Sequence, residues 1–157
     1  MQTTISLGKP IMAPALVPVL HQSTPECIDS PFVINGECYG VTAMSFGAPY
    51  GAVVVDDINH ASVKAIGHAL STHPLFPEGA NIVFIQMLDE SNLEACCFEK
   101  NTGEAVSSPE AAGVAATTAM ILQKTLEHEV NVSIGKKMFQ VEWDRCDGEV
   151  FCRDKVI

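Results

Sequence analysis

The stretch Glu99-Lys-Asn-Thr-Gly-Glu-Ala-Val-Ser-Ser-Pro-Glu-Ala-Ala-Gly-Val-Ala-Ala-Thr-Thr-Ala-Met-Ile-Leu-Gln-Lys-Thr-Leu126 decides how this chain folds. Ser108, Pro109 and Glu110 read as an N-cap, a proline in the first helical position and an acid in the first turn, all three favouring a helix that starts here. From Ala111 to Leu122 the residues are small or apolar around nearly the whole circumference. That pattern predicts a helix enclosed on all sides, not one lying on a surface. A loop entering the N-terminus of a buried helix offers free backbone N–H groups and the positive end of the dipole, which together hold anions. The candidate site is therefore placed at this helix head.

Composition sets the outer limits. The 157 residues are read as one domain, residues 1–157, large enough to bury roughly 68–70% of the unfolded surface. A hydrophobic fraction of 47% with 18% charged residues is that of an ordinary globular protein. No apolar run is long enough to span a bilayer. Met1 to Pro10 lacks the basic-then-apolar pattern of a signal peptide, so a cytoplasmic protein is expected. The six cysteines, Cys27, Cys38, Cys96, Cys97, Cys146 and Cys152, form no C-x-x-C pair and no His completes a zinc set, so reduced thiols and no metal are expected. His21, His60, His68, His73 and His128 read as surface or loop residues. The net charge of −10 argues against nucleic acid or an anionic membrane as partner, since both need a basic footprint.

Outward from the central helix, the chain reads as eight or nine short strands and a second helix. Thr3 to Leu7 is a strand stopped by Gly8-Lys-Pro10, and the proline-spaced segment to Pro18 an extended connector. Asn35-Gly36 predicts a two-residue hairpin turn between Phe32–Ile34 and Glu37–Val41. Val41–Phe46 and Ala52–Val55 flank a glycine-bounded turn. A surface helix follows from His60 to Leu70, where Val63, Ile66, Gly67 and Leu70 keep helical spacing. Ile82–Leu88 and Leu93–Phe98 form a hairpin across Asp89-Glu-Ser-Asn92. Strand alternation then puts Cys96 and Cys97 on opposite faces. Val130–Ile134 and Met138–Trp143 pair across Gly135-Lys-Lys137, and Glu149–Cys152 is the last strand after Asp147-Gly148. The sum is an α+β order suited to a strongly curved sheet around a buried helix.

Several motifs go further: Val41-Thr-Ala-Met-Ser-Phe-Gly-Ala-Pro-Tyr-Gly-Ala-Val-Val-Val-Asp-Asp57, His73-Pro-Leu-Phe-Pro-Glu78, Asn81-Ile-Val-Phe84 and Phe98-Glu-Lys-Asn-Thr-Gly-Glu104, with Ser6-Leu-Gly-Lys-Pro10 and Phe139-Gln-Val-Glu-Trp143 at the ends. This set resembles the second half of diaminopimelate epimerase over nearly the whole chain. The resemblance implies a mixed β-sheet rolled into a barrel-like shape around a central helix. It also implies that this chain corresponds to only the C-terminal one of two similar domains, whose shared cleft is the active site.

The family inverts an amino-acid α-carbon without pyridoxal phosphate or any other cofactor, an isomerase step serving lysine biosynthesis, using one cysteine from each domain. The resemblance places Ser108 where the second cysteine belongs. Making an alkoxide in place of a thiolate costs about 7 pKa units, or about 10 kcal/mol, more than local tuning of about 2–5 units supplies. The family's Asn-Pro-His is Ala48-Pro49-Tyr50, and its Glu-Arg is Glu99-Lys100, a fork traded for a point charge. The family's Gly-Thr/Ser cradle is Pro109-Glu110, which removes one donor and sets a carboxylate where a substrate carboxylate would sit.

The resemblance thus nominates Ser108 and Glu99 as catalytic candidates, and Asn81, Tyr50, Lys100, Gly103 and Glu104 as substrate contacts. The residues allow plainer roles: Ser108 as an N-cap, Glu99 as a solvated strand end, Asn81 as a turn cap and Tyr50 as packing over its turn. Two functions follow. One is an epimerase-family isomerase with lost or altered activity toward a small amino-acid-like ligand. The other is a non-catalytic binding or assembly domain. In both, a homodimer or a partner chain supplying the missing domain is expected, because a cleft face without its sister domain exposes apolar surface.

Overall fold

The computed structural model describes residues 4–20, 26–59, 63–100, 102, 105–143 and 148–154. Gly103, Glu104, Cys146, His21, His60 and the expected first turn of the second helix at 60–62 lie outside them. Among the described residues there are ten strands, β1 (Thr4–Gly8), β2 (Ser30–Ile34), β3 (Glu37–Ser45), β4 (Pro49–Val54), β5 (Asn81–Met87), β6 (Asn92–Phe98), β7 (Ala105–Val106), β8 (Glu129–Ile134), β9 (Lys137–Glu142) and β10 (Val150–Asp154), with α1 (Val63–Ser71) and α2 (Pro109–Ile121).

The strands form one mixed sheet in the order β1-β10-β9-β8-β6-β5-β4-β3-β2, with β7 paired to β6. Only β4/β5 and β6/β8 run parallel, and a parallel pair needs a crossover, which α1 and α2 supply. Both crossovers advance across the sheet in the same direction, yet β5 and β6 are antiparallel. A right-handed connection therefore sends the two helices to opposite faces. The side chains of β5 record this: Val83 and Ile85 join the cluster around α2, while Ile82 and Phe84 join the cluster that includes Leu70 and Phe76 on the α1 side. Alternation also separates buried Cys97 from half-buried Cys96, as expected.

Helix α2 touches β1, β4, β5, β6, β8, β9 and β10, and residues 111–120 are all buried. Five alanines and Gly113 in that run let the sheet approach on every side; a β-carbon on Gly113 would sit 2.5 Å from Leu7 Cδ1. Larger side chains there would force the sheet outward, at about 1–3 kcal/mol for each overpacked position.

Three sequence expectations change. The sheet is open and not a barrel; a single bridge from Ile11 to Ser45, with backbone bonds of 3.1 and 2.8 Å, ties the segment after β1 to β3. Pro10 lacks the donor that would extend this pairing. The segment to Pro18 is not extended: Leu16 and Val17 N–H donate to Ala13 O, and Val19 N–H to Pro14 O, because prolines preset the φ that turns require. Finally, β4 begins at Pro49, three residues earlier than read, because Ser45, Met44 and Ala43 pair with Pro49, Tyr50 and Gly51 across a tight turn at Gly47 (φ 81°).

Candidate functional site at the head of the central helix

Register brings the site residues to one end of the sheet. Tyr50 in β4 is the direct partner of Asn81 in β5, both turned toward α2. Beyond β6, Glu99 and Lys100 continue past Asn81, whose Oδ1 accepts the Lys100 backbone N–H at 2.9 Å. Strand β8 leaves β6 at Ala95, so Cys97 and Phe98 are open to pair with the two-residue β7. That strand, which sequence reasoning missed for its shortness, delivers Ser107 and Ser108 to the head of α2.

Ser108 is the N-cap. Its backbone is extended (φ −126°, ψ 155°) and its Oγ accepts the Ala111 N–H at 3.1 Å. Together with Pro109, which has no N–H, this takes two of the helix-head donors out of an anion cradle. The dipole at this end favours Glu110, which is half-buried in the first turn.

Tyr50 is 7% exposed and occupies the space in front of this cap. Burial, then the charges of Cys97 and Glu110, raise its phenol to about 12, while the polar side chains of Ser108 and Asn81 beside it pull the other way. The ring thus joins Ser108, Asn81 and Glu110 in one cluster.

Lys100 faces elsewhere: its Nζ donates to the Glu78 carbonyl at 3.0 Å and its stem lies against Gly79. Glu99 is half-buried near Cys97. The cysteines nearest the cluster are poor bases. Burial, then Cys96 and Glu99, push the Cys97 thiol to about 12; burial, then Asp154 and Glu110, push Cys152 to about 12. At neutral pH roughly one thiol in 100,000 would be ionised. Among the described residues no group of three or more His, Cys, Asp or Glu is placed to hold a metal ion, and no helix is long and apolar enough to cross a membrane.

The diaminopimelate epimerase family model matches residues 42–155. The chain belongs to the diaminopimelate epimerase family. Diaminopimelate epimerase of Leptospira biflexa is 30% identical over 148 residues, covering 94% of this chain and 52% of its own length. That of Pseudomonas aeruginosa is 32% identical over 142 residues, 90% of this chain and 50% of its own. The chain therefore spans about half the length of the curated diaminopimelate epimerases it matches. Two solved structures share the fold: a probable proline racemase from Agrobacterium radiobacter K84 (TM-score 0.60, 14% identity, 98% of this chain and 50% of that one) and a hydroxyproline epimerase from Agrobacterium vitis (TM-score 0.63, 12% identity, 98% and 49%).

Beside the diaminopimelate epimerase motifs, three residues escaped sequence reasoning: Ser107, Gly135 and Cys152. The glycine of the Gly135-Lys-Lys137 turn was the available signal for the first two. Cys152 shows only as an inward position on a last strand, with nothing local to link it to Glu110.

Proposed function

We propose that this chain is a diaminopimelate epimerase-like domain whose own cleft no longer transfers protons, so that isomerase activity is lost or altered. The observation that carries the reading is Tyr50, buried in front of the capped Ser108 and paired in the sheet with Asn81. Supporting it, the carboxylate of Glu110 stands in the first turn of α2, where a substrate carboxylate would meet repulsion in place of a cradle. Of the nominated catalytic pair, Ser108 is too weak an acid to yield a base, which leaves Glu99 without a partner on the opposite face of an α-carbon. Asn81 keeps its amide at the cleft, while Lys100 is drawn to Glu78. Incubating the chain in deuterated water with L,L-diaminopimelate and with proline should leave the α-proton unexchanged; exchange above the buffer rate rejects the reading. Restoring Ser108→Cys, Pro109→Gly and Glu110→Thr together should still give no exchange while Tyr50 is unchanged.

A second reading concerns assembly. The chain spans half of its curated relatives, and Leu16, Leu20 and Val33 are 68%, 57% and 61% exposed. We propose a homodimer or a complex with a chain supplying the other half. Sedimentation of the purified protein at high concentration should show a dimer; a monomer throughout rejects the homodimer.

A further inference from the structure

A cavity lies on the opposite face of the sheet from α2, between α1 and the end of β6. It encloses about 380 Å³ and is lined by Lys64, Gly67, His68 and Ser71 of α1, with Phe98 and Glu99 facing them. Lys64 and His68 are one helical turn apart on the same face of α1. Gly67, between them, has no side chain, and a β-carbon there would come within 2.9 Å of the Phe98 ring. The ring, half-buried and packed edge-on against Phe84 at 5.9 Å between centroids, is therefore the floor of the groove. Glu99 closes the far side. Among the described residues no hydrogen bond or ion pair engages the Lys64 ammonium, the His68 ring or the Glu99 carboxylate. Ser71 is already committed, its Oγ donating to His68 O at 3.1 Å.

An ammonium and an imidazole on one wall, a half-buried carboxylate on the other and an aromatic floor between them match a ligand that carries both charges on an apolar body. A ligand with only an anion would leave Glu99 opposed to it, in a protein already at −10. One with only a cation would meet Lys64. We propose that this groove binds a small zwitterion with an aromatic or branched apolar body, its carboxylate held by Lys64 and His68, its ammonium by Glu99 and its body on Phe98. The groove lies on the α1 side of the sheet and shares Glu99 with the residues nominated at the head of α2.

The test is a nitrogen-15 NMR titration of the whole chain with L-phenylalanine, phenylacetate and phenethylamine. Phenylalanine should saturate, shifting the amides of Lys64, Gly67, His68, Phe98 and Glu99, with each half-ligand weaker by roughly tenfold or more. Lys64→Glu and Glu99→Gln should each weaken phenylalanine by a similar factor. Lys64 is exposed, so its replacement leaves the fold intact. No shift at concentrations on the order of 10 mM, shifts centred on residues 107–111, phenylacetate or phenethylamine binding as tightly as phenylalanine, or unaltered binding by Lys64→Glu would each overturn the proposal.

Discussion

Gly135 lies directly against Ser107: a β-carbon built on this glycine (φ +60°) would stand 2.5 Å from Ser107 Oγ. The contact joins the β8–β9 turn to the head of α2 and follows from β7 taking up the length of β6 that β8 leaves free. Gly135→Ala should destabilise the chain by about 1–2 kcal/mol from the left-handed backbone alone, and further from the clash. Adding Ser107→Ala should recover the clash and not the backbone cost. Urea midpoints of the two single variants and the double variant give the coupling, and strictly additive effects would deny the contact.

The cap at Ser108 has a measurable weight. Its hydroxyl holds the Ala111 N–H, and Ser108→Ala should cost about 1 kcal/mol, whereas Ser108→Asp should retain most of the cap. Equal stability of the alanine variant and the parent in thermal unfolding would remove the N-cap from the account.

Alkali should weaken the fold. The Tyr50 phenol is raised from 10.0 to about 12, and the Cys97 and Cys152 thiols from 9.0 to about 12. Below pH 9 these groups are protonated in both states and their contribution is fully present. As pH climbs from 9 toward 12 the unfolded chain loses protons that the folded chain keeps, so the unfolded state binds fewer and stability falls. Urea midpoints should therefore decline between about pH 9 and 11. Tyr50→Phe should flatten the part above pH 10, and a midpoint constant over the whole range would contradict the burial of all three groups.

Inside α2 one polar atom is out of place. Thr118 Oγ1 is buried with no hydrogen-bond partner among the described residues, unlike Thr117, whose Oγ1 donates to Gly113 O at 2.8 Å. Thr118→Val keeps the shape and removes the orphan hydroxyl, so it should stabilise the chain by about 1 kcal/mol. Thr117→Val should do less or the reverse. The two melting temperatures decide it.

Much of this molecule could be read from residues that act locally. The Ser108-Pro109-Glu110 start, the apolar circumference of Ala111–Leu122, the Asn35-Gly36 turn and the alternation of Met138–Trp143 depend on neighbours a few positions away, and each lies where the sequence puts it. The family motifs were legible too, because they are runs of residue types at fixed spacing.

What only the tertiary structure decided is which distant residues meet. Tyr50 stands against Ser108 because β4 and β5 pair in parallel with Tyr50 opposite Asn81, and a one-residue slip would turn both away. Strand β7 is too short to show any period, and the sheet stays open because closure depends on the geometry of its two edges, not on any strand's own residues. The zwitterion groove likewise arises from a helix crossing a strand end, which brings together Lys64 and Glu99 from well-separated parts of the chain. Local propensity is carried by each residue's own backbone and its nearest neighbours, whereas register and crossing are set by the packing of the whole sheet around α2.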